Sequence, residues 1–348
     1  MQEDRFLEVL KEHTLRYPQM SPQDYGKLIY QSEFGAKHML GERKFVLSQI
    51  KEEFDTLPKK SMPEGIERIG TEICRYPLSA LTTEGAIELC TDLFLLAANT
   101  CHGSRESLFK KISYTEQLQR MGMKEWMSNW IQRGCPSVHH SKTFRETYHP
   151  HYRLLRTEYA VYFPALLEIT RLIKGDKPVL IGIDGKCGSG KSEFAKLIEK
   201  LFSCNVVHMD DFYLPSEKRR ADWFEISGGN IDFERFRKEV LLPVQAGDMI
   251  YYRPYDCKKG LAEKELPLPP RRLTVVEGSY SHHPDLRAEY DFKIFLHCMK
   301  QTQNSRLLKR EGDYYPVFLE RWIPMEERYF AQYRIAENSD LIVETDLI

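Results

Sequence analysis

The spacing of hydrophobic positions changes about halfway along the chain. In the first half Phe6, Leu7, Val9 and Leu10, then Leu28 and Ile29, then the apolar residues from Thr83 to Asn99 recur at helical intervals. This pattern predicts an opening helix that stops before Pro18 and a second that begins at Ser21-Pro22-Gln23-Asp24 and ends near Phe34-Gly35. Ser21 offers a side-chain oxygen to the free amides, Pro22 suits the first helical position, and Asp24 complements the positive end of the helix. Further helices are expected over residues 42–57, over 83–99 and twice between Ser104 and Gly134. Residues 58–65 read as a Lys/Pro/Gly connector, and Ile66 to Arg75 as one short strand. A last helix carries Leu166, Leu167, Ile169, Leu172 and Ile173, and Gly175-Asp176-Lys177-Pro178 stops it.

Beyond Pro178 the rhythm becomes strand, helix, strand. Short apolar runs at 179–184, 205–209, 273–276, 292–296 and 340–343 alternate with longer amphipathic stretches. That alternation is the signature of a parallel sheet with helices on its faces. The expected architecture is therefore a mainly α-helical domain over 1–174 and an α/β domain with a parallel sheet flanked by helices over 175–348.

Composition adds little beyond this. The 348 residues carry a net charge of −1 and are 42% hydrophobic, which fits two ordinary globular cores and no general attraction to nucleic acid or a membrane surface. No apolar run approaches the ~20 residues of a membrane helix. The start, Met1-Gln2-Glu3-Asp4-Arg5, has no basic region followed by an apolar run, so no secretory signal is expected. Eight scattered cysteines without a CxxC pair read as free thiols in a reducing cytoplasm. His38, His102, His139, His140, His149 and His151 follow no metal-ligand spacing and read as ordinary hydrogen-bonding histidines. The Tyr/Arg-rich run from Tyr148 to Arg156 suits an interdomain surface or part of a pocket.

The chemistry concentrates at Gly185-Lys186-Cys187-Gly188-Ser189-Gly190-Lys191-Ser192, which follows the first apolar run of the second half and opens a helix bearing Phe194, Leu197, Ile198 and Leu201. Strand, glycine-rich loop and helix in that order make a phosphate-binding loop. Gly185, Gly188 and Gly190 let the backbone pass close to a phosphate, while Ser189 and its neighbours offer amides at a helix N-terminus. Lys191 is placed for the β- and γ-phosphates of a nucleotide and Ser192 for Mg2+. Asp210 and Asp211 end the second strand and Glu277 the third, and ligands of such sheets lie at those carboxyl ends. Arg306 and Arg310, four residues apart, share one face of a basic helix.

With these pieces in place, residues 177–348 resemble the group of P-loop kinases that holds uridine kinase, phosphoribulokinase and bacterial pantothenate kinase. The matching residues are the GKCGSGKS loop, Met209-Asp210-Asp211-Phe212-Tyr213, Arg253-Pro254-Tyr255-Asp256, Val276-Glu277-Gly278 and the basic helix after the fourth strand. The likeness is strongest to uridine kinases, and to a bacterial subgroup of uridine kinase-like chains with an extra helical N-terminal region. It implies an ATP- and Mg2+-dependent transfer of phosphate to a small-molecule hydroxyl, a nucleoside such as uridine first. Asp210 would be the general base and Glu277 would assist at Mg2+. Tyr255 would help hold the nucleoside beside Asp211, Tyr213 and Arg253, and Arg306 and Arg310 would bind the phosphates in transfer.

Three departures bear on the acceptor. Asp211 stands where the group often has serine. Arg253 directly before Pro254-Tyr255 suits an acidic or phosphorylated acceptor. The lid spacing differs, with Gly312-Asp313-Tyr314-Tyr315 and then Arg321-Trp322-Ile323-Pro324. Pantothenate or a sugar derivative therefore stays open as acceptor, and so does a nucleotide-binding regulator using a kinase-like domain as ATP sensor. A homo-oligomer is compatible with any of these.

Overall fold

The structure is a computed structural model describing residues 3–118, 120–256, 259, 261–262 and 264–348. The chain divides into two compact units, Met1–Phe163 with Ile348 and Pro164–Leu347.

Six helices of the first unit follow the apolar spacing: α1 (Glu3–Arg16), α2 (Pro22–Phe34), α3 (Arg43–Asp55), α4 (Glu84–Thr100), α5 (Arg105–Ser113) and α6 (Met123–Gln132); α7 (Lys142–Tyr148), with Phe144 as its buried residue, stands where the sequence predicts no helix. Their inward faces supply fully buried Leu10, Leu28, Ile29, Ile50, Leu93 and Trp130. The start of α2 is closed by the Ser21 amide donating to Asp24 Oδ2 at 2.9 Å, and Thr83 and Ser104 cap α4 and α5 with their hydroxyls.

Two expectations need correction. Residues 66–75 do not make one strand but a hairpin, β1 (Glu67–Arg68) and β2 (Ile73–Pro77), with Glu67 opposite Arg75. The Tyr/Arg-rich run ends in β3 (Tyr152–Arg156), which pairs antiparallel with β2 and puts Leu155 opposite Cys74. The first unit is thus helices around a three-stranded sheet of order β1-β2-β3. A long helix, α8 (Thr157–Leu172), contains the division between the units.

The second unit holds a five-stranded sheet from β4 (Val179–Gly185), β5 (Cys204–His208), β10 (Leu273–Glu277), β11 (Phe292–His297) and β12 (Leu341–Glu344). Its order is β12-β11-β4-β10-β5, with every pairing parallel. β4 and β10 lie inside and are buried throughout, which is why they read as unbroken apolar runs. Helix α9 (Lys191–Leu201) leaves the loop after β4. α10 (Phe233–Phe236) continues through a π-helical turn, Arg237–Leu241, into α11 (Leu242–Ala246). After β11 come α12 (Lys300–Glu311), α13 (Tyr315–Val317), a second π-helical turn at Phe318–Trp322 and α14 (Ile323–Tyr333).

Before β10, the described residues carry four short strands. β6 (Ile250–Tyr252) pairs with β9 (Leu266–Leu268), and β7 (Tyr255–Asp256) with β8 (Leu261–Ala262). The core under this face gathers Phe212, Phe236, Val240, Tyr252, Val276 and Tyr329.

Candidate active site

The loop begins where β4 ends. Gly185 has φ +147°, and a side chain there would run into the backbone oxygen of Leu296 on β11. Only glycine lets the central strand turn out so tightly against its neighbour. Gly190, at φ +98°, turns the chain into α9, so that Lys191 and Ser192 open a helix whose free amides face the loop.

A buried carboxylate sets the loop's starting point. Asp184 is fully inaccessible; its Oδ1 accepts the Gly185 amide at 2.7 Å, and its Oδ2 accepts the His282 amide at 3.0 Å and the Tyr329 hydroxyl at 2.8 Å. On the other side α12 holds the loop. Gln303 Nε2 donates to Cys187 O at 3.0 Å, and Arg306 Nη1 donates to Gly188 O at 3.0 Å while its guanidinium also grips Thr345 past β12. Lys191 Nζ lies in the loop mouth, 2.6 Å from Gly185 O, 3.2 Å from Lys186 O and 3.5 Å from Ser279 Oγ.

Oxygen ligands meet next to this lysine. Glu277 closes β10 and is buried; its Oε1 accepts the Ser192 hydroxyl at 3.2 Å and lies 2.5 Å from His208 Nδ1. The parallel register places Glu277 beside both Ile183 and His208, so β4, β5 and β10 end together and Asp210 emerges at the same edge. Asp210 is exposed on that edge, yet protein atoms crowd its carboxyl. That crowding, and then the Glu277 charge, push its pKa up, against the Tyr213 hydrogen bond and the Lys191 and His208 charges. The hydrogen bond to Glu277 raises His208 in turn.

Ser192 and Glu277 present hard oxygens, the kind of donor Mg2+ prefers. Among the described residues no cluster of three or more His, Cys, Asp or Glu forms a cation cage. A Mg2+ held with a nucleotide needs none, since water and phosphate complete its shell.

The remaining positions read from the sequence separate into two groups. Tyr213 bonds Asp210. The strand that holds buried Tyr255, β7, packs on the turn Met209–Phe212 and so borders the same edge. Asp211 instead turns to the Tyr252 hydroxyl at 3.0 Å. Arg253 is exposed, and its carbonyl accepts Arg235 Nη1 at 2.9 Å. Arg306 and Arg310, expected to act together, part ways: Arg310 pairs with Glu311 at 2.6 Å and lies over the Phe318 ring.

Several residues escaped the sequence. Arg235 spans the Asp211 and Arg253 carbonyls and covers the Phe212 ring at 4.6 Å. Arg321 lies over the Trp223 ring at 5.5 Å and Arg328 Nη1 donates to Phe224 O at 3.0 Å, tying segment 214–230 to the last helices, while Arg219 covers the same ring at 5.1 Å from within the segment. Asp184, His208, Ser279 and Glu326 carry no local motif; what marks them is burial and partners distant in sequence.

No protein-family model matches the chain. Phosphoribulokinase of Synechocystis sp. is 24% identical over 141 residues, 39% of this chain and 42% of that one. Uridine-cytidine kinase C of Dictyostelium discoideum is 25% identical over 125 residues, 34% and 26% of the two chains. A protein named for another reaction also matches: the tRNA-specific adenosine deaminase subunit tad2 of Schizosaccharomyces pombe, 30% identical over 137 residues, 37% and 33% of the two. The chain thus spans less than half the length of these relatives. Among solved structures, a possible uridine kinase from Bacillus stearothermophilus covers 52% of this chain and 96% of its own, at 22% identity and a TM-score of 0.41.

The second unit is a P-loop α/β domain: a parallel sheet flanked by helices, with the phosphate-binding loop between its central strand and α9. The chain is similar to uridine kinase, phosphoribulokinase and related P-loop kinases, at low identity and over part of its length.

Proposed function

We propose that the second unit transfers the terminal phosphoryl group of ATP to a hydroxyl of a small molecule, a nucleoside first among the acceptors. The observation that carries this is the meeting of Lys191, the Ser192–Glu277 pair and Asp210 at the end of three parallel strands. Every residue of the site lies in this unit. The free thiols of the described cysteines suit a reducing compartment such as the cytoplasm.

Mg-ATP supplies the phosphoryl group and part of the charge that neutralises it. The chain supplies position and a base. The loop amides and the start of α9 hold the phosphates, Lys191 adds a point charge beside them, and Ser192 and Glu277 hold the metal. Asp210 takes the acceptor's hydroxyl proton on its carboxylate. A pKa raised by crowding makes it a better proton acceptor than an ordinary aspartate, with the Lys191 and His208 charges and the Tyr213 hydrogen bond acting the other way.

Asp210→Asn tests the assignment. It keeps size and polarity, so Mg-ATP affinity measured by calorimetry should hold while turnover falls about 100-fold or more. Turnover should be followed over a panel of nucleosides, pantothenate and sugar phosphates. Parent-like turnover in the variant, on whichever acceptor the panel identifies, would remove Asp210 from the role.

A further inference from the structure

A second buried carboxylate reaches the phosphate loop from outside the sheet. Glu326 belongs to the first turn of α14, just after the π-helical turn Phe318–Trp322, and is 6% exposed. Its Oε2 accepts the amide of Cys187, inside the loop, at 2.8 Å, and its Oε1 accepts the Ser279 hydroxyl. Ser279 stands two residues past Glu277 and 3.5 Å from Lys191 Nζ. The carboxylate is therefore seated among the donors that a bound polyphosphate would use.

A neutral side chain could still serve the amide and the hydroxyl, though not also the Cys187 thiol that bonds this carboxylate. Burying a charge for that purpose is costly, so the charge itself calls for a role. An anion bound to the Cys187 amide and Lys191 would lie close to the Glu326 carboxylate, which water scarcely reaches. Like charges there repel strongly, and both compete for the Cys187 amide.

We infer that Glu326 is a specificity-determining residue of the loop: a built-in anion that the terminal phosphate of a nucleoside triphosphate has to displace. It weakens triphosphate binding relative to diphosphate binding and keeps the loop amide satisfied in between. The inference rests on the nucleotide reading above. The Cys187 thiol, beside the same carboxylate, is pushed well above its ordinary pKa by burial and then by the Glu326 charge, so it stays protonated there.

The test compares calorimetric affinities of the full chain for Mg-ADP and for a non-hydrolysable Mg-ATP analogue. Glu326→Gln removes the charge and keeps an oxygen for the Cys187 amide. It should raise the triphosphate-to-diphosphate affinity ratio about tenfold, the scale of one nearby like charge at intermediate dielectric. Ser279→Ala frees one of the two holds on Glu326 and should move the ratio the same way by about threefold. If Glu326→Gln fails to fold by circular dichroism, Ser279→Ala carries the test alone. A ratio unmoved or lowered in the folded variants overturns the inference and leaves the nucleotide site standing. A parent that binds neither nucleotide overturns both.

Discussion

One residue that sets the phosphate loop's position is not named by the loop motif. Asp184 is a charge without access to water, stable because three donors converge on it, and the Tyr329 hydroxyl is the one that arrives from a distant helix. Removing that hydroxyl leaves a buried carboxylate oxygen with a single donor. Tyr329→Phe should therefore cost about 1–3 kcal/mol of stability, read from urea denaturation, and should loosen nucleotide binding through the Gly185 amide. Unchanged stability would mean that water replaces the hydroxyl. Lys191→Ala acts differently. Its ammonium bonds only loop carbonyls and Ser279 in the structure, so the fold should survive. Affinity for Mg-ATP should drop by about 100-fold, the order expected for deleting a point charge on the terminal phosphates. Parent-like affinity in a calorimeter would end the phosphate-loop assignment. Lys191 was legible because its motif is local. Asp184 was not, because in sequence it is merely the last residue before the first loop glycine.

At the scale of elements, α12 works as a clamp on the loop. Gln303 holds Cys187 O, Arg306 holds Gly188 O and Thr345, and Leu307 packs under Gly188. Helical spacing put Arg306 and Arg310 on one face, and the resemblance to P-loop kinases implied a shared duty on phosphate. The structure gives each its own partners, because four residues of helix cannot say what stands opposite each side chain. Arg306→Ala should lower the melting temperature and weaken ADP and ATP-analogue binding together, as a loosened loop does. Arg310→Ala should leave both near the parent values. If Arg306→Ala slows turnover with ground-state affinity and melting intact, Arg306 acts on the phosphate in transfer instead. The same scale explains which strands were readable. β4, β10 and β11 are central, five to seven residues long and apolar, and their positions were legible. β1, β6, β7, β8 and β9 span only two or three residues each, too few for any periodicity to show. β3 lay hidden in a run whose tyrosines and arginines read as surface but are half-buried or buried against the first unit's own polar core.

That polar core governs how the first unit should respond to acid. Asp24 is fully inaccessible and accepts the Ser21 and Ser141 amides, the Ser141 hydroxyl and His140 Nδ1 at 3.1 Å. Tyr152 lies 2.8 Å from His140 Nε2, Gln31 Nε2 donates to Tyr152, and Gln31 Oε1 accepts Arg75, which in turn pairs with Glu67 at 3.0 Å. A neutral His140 fits this chain, donating from Nδ1 to Asp24 and accepting the Tyr152 proton at Nε2. Burial agrees, pushing its pKa down to about 3 despite the Asp24 hydrogen bond. Asp24 and Glu67 lie well below the carboxylate range, held there by their donors against burial. The signs then run together. His140 takes up a proton in the unfolded chain near pH 6.5 and in the folded one only near pH 3, so stability falls as pH drops between those values. The two carboxylates add to the loss below about pH 4, where the unfolded chain protonates them first. Denaturation midpoints of the first unit should decline from about pH 6.5 downward, by up to about 1.4 kcal/mol per pH unit for the single histidine proton. Replacing Trp223 and Trp322 by Phe leaves Trp126 and Trp130, both on α6, as reporters of this unit alone. His140→Gln keeps a donor for Asp24 but cannot titrate, so it should be less stable at pH 7 and flat between pH 6.5 and about 4.5. A parent as flat as the variant over that range would show that His140 is protonated in the folded unit, and that the Asp24–His140 contact is an ion pair.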